Sequence, residues 1–333
     1  MKTAAILPAA LMRMASRWLL SMLLLPACLG LPACLGLPAP AAAATPKAGP
    51  AAAVAPTGAP VPLLWKVSGA GDARLYLLGS FHLLRPDDYP LAADADAAFD
   101  AARRVVFELS ANDMASPALA QKMVQAAVRT DGSELRRDLG DATWARLQDY
   151  AAMNPLPLAQ LQGLKPWFVG LSISIAQMQK MGLDPALGLD RHFMDRAAAA
   201  GKPVLGLESI DTQIAVLSGM SATEQRQMVE EALEQADKGD AEIRALHDAW
   251  RRGDDVLMWN RMAGEMKARY PQLYRRINGD RNDAWLPRLE SWLQAGQGGT
   301  LVVVGTLHLL GSDGVVEKLR ARGYTVERVR GGG

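Results

Sequence analysis

The chain has 333 residues, half of them hydrophobic, and a formal net charge of +1 at pH 7. No cluster or stripe of lysine and arginine dominates any region, so the composition gives no indication of a nucleic-acid partner. A chain of this length can bury a full hydrophobic core, in one large domain or in two closely joined domains.

The first 44 residues differ in composition from the rest of the chain. They begin with basic and no acidic residues, continue with the apolar run 18–31 and end in four alanines at 41–44. This order is typical of an export signal, and the proline-broken apolar run is shorter than the roughly 20 residues of a membrane span. We therefore predict a signal peptide at 1–44, no transmembrane span in the mature chain, and a periplasmic or secreted location.

Both cysteines, Cys28 and Cys34, lie within this leader. Each follows Leu-Pro-Ala, which fits a lipoprotein acceptor site poorly, so removal of the leader is preferred over lipid anchoring. The mature chain then has no thiolate for catalysis or for metal binding. Residues 45–60 are rich in Pro, Ala and Gly, which predicts a linker.

From residue 61 to residue 330 short apolar strands alternate with helices. The strands are predicted at 62–68, 74–79, 103–110, 203–209, 300–305 and 324–329. The first two form a hairpin, and the next three are continuous apolar runs, typical of strands covered on both faces. The stretch at about 115–295, apart from the strand near 203–208, is predicted to be helical. We therefore expect an α/β core with a large helical insertion between its two halves.

One short pattern occurs twice, near opposite ends of this domain. The segments 75-LYLLGSFHLL-84 and 301-LVVVGTLHLL-310 are identical at five of ten positions, and each has a strand, a glycine and then a histidine three residues later. The glycine would let the backbone turn sharply at the strand end and leave room for a ligand there. The repetition indicates two equivalent strand ends that contribute to one site.

Four predicted strands end in a titratable residue: His82, Glu108, Glu208 and His308. Ligands of open α/β sheets bind at the carboxyl ends of the strands. Two imidazoles and a carboxylate are sufficient ligands for a divalent metal that keeps positions open for water and substrate. We therefore predict a metal site formed by His82, His308 and Glu108, with a carboxylate available as general base.

Other interpretations of these residues stay open at this stage. Glu108 could form a structural salt bridge, and Glu208 could simply begin a helix. Arg281 follows Asp280, a candidate helix N-cap, and is either a surface residue or a group that holds a substrate carboxylate. The other two histidines are expected to be a packing or surface residue, His192, and a solvated one, His247. The sequence contains no HExxH helix, Walker A loop or GxSxG elbow.

Several motifs in order along residues 62–330 resemble the TraB/GumN family, which includes the PrgY-type and TIKI proteins. They are 79-GSFH-82, 106-VFELS-110, 165-KPW-167, 188-GLDRHF-193, 201-GKPVLGLES-209 with Gln213, 281-RNDAWLP-287, 304-VGTLHLLGSDG-314 and 319-LRARGYTVERV-329. The resemblance implies an α/β fold of the mixed α+β kind. Its mixed-sheet core would be duplicated, as in erythromycin esterase (EreA), ChaN and TIKI proteins.

The resemblance also implies an activity. TIKI proteins are metal-dependent proteases that work with manganese or cobalt and need the two GxxH histidines and an acidic residue. Carried over by motif, these are His82, His308 and Glu108, while Glu208, Arg281 and Asn282 match further family positions. We therefore expect a metal-dependent hydrolase of peptide or protein substrates, with Glu108, Glu208 and Arg281 as catalytic residues.

The expected cofactor is a divalent metal, manganese or cobalt first and zinc as the alternative. Two other functions remain as alternatives. One is haem or tetrapyrrole binding through the histidines, in a slot lined by apolar neighbours such as Phe81, Leu83, Leu307 and Leu309. The other is a non-catalytic, polysaccharide-associated protein of the cell envelope.

Overall fold

The computed structural model describes residues 58–154 and 156–330. The predicted signal peptide at 1–44 lies outside these residues, as does most of the predicted linker. Residues 58–60, at the end of that linker, lie on the domain: the carbonyl of Gly58 accepts a hydrogen bond from Arg251, and that of Pro60 accepts one from the amide of Ala92.

The fold is mixed α/β, with a sheet of six strands among the described residues. The strands are β1 Leu64–Ser68, β2 Arg74–Ser80, β3 Ala102–Phe107, β4 Val204–Gly206, β5 Gly299–Gly305 and β6 Thr325–Val329. Their order across the sheet is β4-β3-β5-β2-β1-β6. Strands β4, β3, β5 and β2 are mutually parallel, whereas β1 is antiparallel to both of its neighbours. All six predicted strands are present.

Helices account for most of the remaining chain. They are α1 Ala93–Ala101, α2 Ala111–Ala115, α3 Pro117–Ala127, α4 Leu135–Met153, α5 Leu158–Leu161, α6 Pro166–Lys180, α7 Leu189–Ala199, α8 Ile210–Ser218, α9 Ala222–Lys238, α10 Asp240–Arg252, α11 Asp255–Trp259, α12 Glu265–Arg269, α13 Pro271–Tyr274, α14 Asp280–Gln294 and α15 Val315–Ala321. In the described residues, no helix is long and apolar enough to cross a lipid bilayer.

The sheet contributes most of the main hydrophobic core. The carboxyl halves of β2, β3 and β5 consist of buried residues on both faces, as expected for central parallel strands. The strand near 203–208 is different: β4 has only three residues, and all of them are half-buried. The prediction of a fully buried strand there was wrong, because β4 lies at the edge of the sheet with a partner on one side only.

The C-terminal strand β5 lies in the middle of the sheet, between β2 and β3. It pairs in parallel with β2, with Leu78 opposite Val303 and Ser80 opposite Gly305. The two strands that carry the repeated sequence pattern are therefore direct neighbours, but their pairing is shifted by one residue from the sequence alignment, in which Gly79 matches Gly305. A duplication of the core, as implied by the family resemblance, stays a prediction.

The helical segment between β3 and β5 packs into two further apolar clusters. One surrounds Trp144, Val169 and Val229, and the other surrounds Trp167 and Phe168. Helix α6 is buried along most of its length, as its apolar sequence indicates. These clusters give the helical segment apolar cores of its own, apart from the core around the sheet.

Candidate functional site

The carboxyl ends of the four parallel strands meet at one edge of the sheet. His82 follows β2, Glu108 follows β3 and Glu208 follows β4, while His308 lies in the single helical turn Thr306–His308 after β5. The structure brings these four residues together with Arg281, from the first turn of α14. The exposed fraction falls from 55% for the His82 side chain to 16% for Glu108, 7% for His308 and 4% for Glu208. Solvent therefore reaches the cluster at His82.

Gly305, the last residue of β5, lies between His82 and Glu108. A Cβ atom built at this position would lie 3.0 Å from His82 Nε2 and 3.3 Å from Glu108 Oε1. The amide of Gly305 donates to Glu108 Oε1 at 2.9 Å, and His308 Nε2 lies 3.9 Å from the same oxygen. Two candidate ligand atoms thus face Gly305, and the third, His308 Nε2, lies beside Glu108.

This arrangement corrects the expected role of the glycines. The backbone angles of Gly305 (φ −48°, ψ 134°) are accessible to any residue, and Gly79 lies within β2. The glycine at the end of β5 is therefore needed for the space that its missing side chain leaves, and a sharp turn is not its function.

Arg281 connects both carboxylates with His308. Its Nε and Nη2 donate to the two oxygens of Glu208 at 2.8 and 3.0 Å, and Nη2 also donates to Glu108 Oε2 at 2.6 Å. Its Nη1 donates to His308 Nε2 at 3.1 Å. Trp285 Nε1 completes the environment of Glu208 with a hydrogen bond of 2.8 Å. The Nε–Nη2 edge of the guanidinium, which could hold a substrate carboxylate through two parallel hydrogen bonds, is therefore engaged by Glu208.

Arg281 is not a surface residue, since its side chain is only 15% exposed. The prediction that Asp280 caps the start of this helix was also wrong. Helix α14 continues directly from a turn of π-helix at Arg275–Gly279, and Asp280 instead accepts a hydrogen bond from Arg275. π-helical turns occur frequently at functional sites.

Asn282 fixes the protonation pattern of His308. The Asn282 amide donates from Nδ2 to the carbonyl of Asp313, so its Oδ1 faces His308 Nδ1 at 2.7 Å. The Nδ1 atom must then carry the hydrogen, and Nε2 presents its lone pair. Burial lowers the pKa of His308 to about 3. The ring is therefore neutral at physiological pH.

His82 has a different partner. Its Nδ1 lies 2.7 Å from Asp190 Oδ2, and the Asp190 carboxylate raises the pKa of His82 to about 9. The exposed half of the ring is screened by water, which limits what this ion pair contributes to stability. His82 carries a charge at neutral pH unless another cation replaces its proton.

Glu108 is ionised in this cluster. Burial alone would raise the pKa of its carboxyl, but the Arg281 guanidinium, the two histidines and the Gly305 amide hold that pKa well below its usual range. Burial alone would lower the pKa of the Arg281 guanidinium, but the carboxylates of Glu108 and Glu208 have the larger effect and raise it. The expected salt bridge of Glu108 is thus present, in the middle of the candidate site.

Two imidazole nitrogens and a carboxylate oxygen are suitable ligand types for a divalent metal. Both imidazoles hold Nδ1 against an oxygen acceptor and present Nε2, the usual arrangement of metal-ligating histidines. His308 Nε2 is occupied by Arg281, and within 58–154 and 156–330 no three His, Cys, Asp or Glu side chains are arranged to hold a metal as they stand. A set of His82, Glu108 and His308 therefore requires Arg281 Nη1 to leave His308.

The other two histidines lie outside the cluster. His192 packs on Tyr89, with ring centroids 4.6 Å apart, as a packing residue should. The expectation for His247 was wrong: it is buried, and its Nε2 lies 2.8 Å from Asp88, which also pairs with Arg251. This network holds the segment that follows His82.

Two contributors to the site escaped the sequence analysis. Asp190 lies two residues before His192 in the motif 188-GLDRHF-193, and Ser80 lies inside the first GxxH motif. Ser80 Oγ donates to Asp190 Oδ2 at 2.5 Å. The signal that could have identified Asp190 is a carboxylate at the start of a predicted helix, within one of the motifs that carry the family resemblance.

Comparison with known proteins supports a family assignment. The sequence model of the TraB/PrgY/gumN family matches residues 63–328. Two curated relatives, the proteins described as uncharacterized protein YbaP in Escherichia coli K12 and in Shigella flexneri, are each 24% identical over 270 residues. Each alignment covers 75% of this chain and 89% of the relative. No solved structure matches the chain.

Proposed function

Because the chain belongs to the TraB/PrgY/gumN family, we propose that it is a metal-dependent hydrolase of peptide or protein substrates. His82, His308 and Glu108 hold the divalent ion, manganese or cobalt first and zinc as the alternative. The observation that carries the proposal is the arrangement around Gly305, which faces both His82 Nε2 and Glu108 Oε1. Bound there, such an ion supplies an activated water molecule and polarises the substrate carbonyl.

The environment of Glu108 favours the role of a ligand over that of a base. An efficient general base has a pKa near the working pH, whereas the pKa of Glu108 is held well below its usual range. An ionised carboxylate with one oxygen beside Gly305 and the other on Arg281 is a well-oriented ligand.

Glu208 and Arg281 act together. Glu208 is almost fully buried and pairs with Arg281 through both oxygens, so its role is to position the guanidinium. Arg281 in turn orients Glu108 and, while His308 carries no metal, holds His308 Nε2. The pair therefore keeps the ligands in place before the ion arrives.

The polarity of the cluster favours this proposal over haem binding. Haem requires a largely apolar slot around its axial histidine, but the groups next to His308 are Arg281, Glu108 and Asn282. Three of the four apolar neighbours considered for that slot, Phe81, Leu83 and Leu309, are buried in the main core, and only Leu307 is half-buried.

Hydrolysis of an unstructured protein substrate tests the proposal. Purified protein is incubated with fluorescently labelled casein and Mn²⁺ or Co²⁺, and release of labelled peptides is followed with and without chelator. We expect metal-dependent cleavage by the wild type and by the control His192→Gln, and none by the double variant His82→Ala/His308→Ala. Equal cleavage by the double variant would overturn the proposal.

A further inference from the structure

The start of helix α7 is fixed against the backbone of the His82 segment. A Cβ atom at Gly188 would lie 2.1 Å from the carbonyl oxygen of His82, so only glycine fits there. The amide of Leu189 donates to the carbonyl of Phe81 at 3.1 Å. Leu84 and Asp184 exchange two further backbone hydrogen bonds, of 3.1 and 2.8 Å. The first turn of α7 therefore has a defined position relative to His82.

This contact brings Asp190 to the imidazole of His82. A single oxygen, Asp190 Oδ2, accepts from Ser80 Oγ at 2.5 Å and lies 2.7 Å from His82 Nδ1. Ser80 is buried and Asp190 is 17% exposed, so the carboxylate has a fixed orientation.

A carboxylate acceptor at Nδ1 selects one tautomer of the neutral ring. Nδ1 must carry the hydrogen, so Nε2 presents its lone pair toward Gly305 and Glu108. We propose that Asp190, held by Ser80, is the positioning residue that fixes the tautomer and the ring orientation of His82, so that Nε2 faces the metal site. This inference rests on the proposed function for its metal, while the tautomer itself is a property of the chain alone.

A purely structural role explains the contact less well. The His82 side chain is 55% exposed, and ion pairs at such exposure contribute little to stability. His308 has an equivalent arrangement, with Asn282 Oδ1 at its Nδ1. Each histidine of the repeated pattern thus has its own oxygen acceptor, charged for the exposed ring and neutral for the buried one.

The tautomer can be measured directly by ¹⁵N NMR of the histidine side chains. The protein has four histidines, whose signals are assigned by single substitutions. Spectra are recorded with chelator in alkaline buffer, where the rings are neutral. We expect the Nδ1–H tautomer for His82 in the wild type, and a shift to Nε2–H in Asp190→Ala. An Nε2–H tautomer in the wild type, or an unchanged tautomer in the variant, overturns the proposal.

Two internal controls separate positioning from a loss of fold. Asp195→Ala changes a carboxylate of the same helix that pairs with Arg191 at the surface, and it should leave His82 unchanged. His308 should stay Nδ1–H in every variant, because Asn282 holds it. A change of His308 in Asp190→Ala would mean that the substitution acts through the fold, against the proposed role.

Metal affinity gives a second readout. Asp190→Ala should weaken Mn²⁺ binding about 10- to 100-fold, the usual effect of losing a group that orients a metal-ligating histidine, whereas Asp195→Ala should bind as the wild type does. Wild-type affinity in Asp190→Ala contradicts the positioning role. If the wild type itself binds no metal, the proposed function fails, and the tautomer measurement still decides the role of Asp190.

Discussion

At the scale of single residues, Arg281 determines the state of the candidate site. Its guanidinium neutralises the charge of two mostly buried carboxylates, Glu108 and Glu208. It also donates a hydrogen bond to the His308 nitrogen that would bind a metal. An arginine in this position makes the cluster stable without an ion, at the cost of competing with one. Binding of a cation and release of Arg281 Nη1 from His308 are therefore linked.

Replacing Arg281 should strongly destabilise the protein. Arg281→Leu leaves Glu208 and Glu108 buried without a counter-charge, and breaking such a pair costs about 3–5 kcal/mol. Urea unfolding in chelator at neutral pH measures the loss. The matched control is Arg275→Leu, whose ion pair with Asp280 has side chains 70% and 54% exposed and should contribute no more than about 1 kcal/mol. Equal losses in the two variants would contradict the assigned role of Arg281.

The strand-end residues of the site can be predicted from the sequence, but the side chains that pair with them cannot. His82, Glu108, Glu208 and His308 were predictable because strand ends in an open sheet converge, and periodicity reveals where strands end. The pairing of Asp190 with His82 and the burial of His247 depend on how distant helices pack. No local pattern contains that information.

At the scale of elements, the end of β5 has little space for any side chain larger than that of glycine. The strand carries His308 in the turn that follows it, and its last residue, Gly305, provides the space that His82 Nε2 and Glu108 Oε1 face. Strands β2 and β3 flank β5 and deliver those two groups from either side. The second glycine of the repeated pattern, Gly305, is thus explained by the side chains that follow the two neighbouring strands.

A methyl group at this position should impair function more than folding. In Gly305→Ala the new Cβ would lie 3.0 Å from His82 Nε2, so the ring must move, and metal affinity and hydrolysis should fall at least about tenfold. The free energy of unfolding should fall by only about 1–3 kcal/mol. Gly163→Ala, where the added Cβ meets no heavy atom within 4 Å, is the control. Wild-type affinity and rate in Gly305→Ala would refute this account of the glycine.

At the scale of the whole molecule, the sheet order turns two distant segments into one site. Strand β5 comes from the end of the chain but lies between β2 and β3, and the long helical segment before it supplies Arg281, Asn282 and Asp190. The alternation of strands and helices was enough to predict the mixed α/β class and the strands. The strand order was not predictable, because parallel strands of similar apolar sequence can pair in several orders. The sequence identified only β1 and β2 as neighbours, in the predicted hairpin, while the repeated pattern indicated that the ends of β2 and β5 contribute to one site.

Metal binding tests the central claim, that His82 and His308 ligate the same ion. Calorimetric titration with Mn²⁺ should give a single ion per chain in the wild type and in His192→Gln. Each of His82→Ala and His308→Ala should lose most of that affinity, and the double variant should lose little more, because both residues serve one ion. Binding of Mn²⁺ by the double variant with the affinity and stoichiometry of the wild type would contradict the claim.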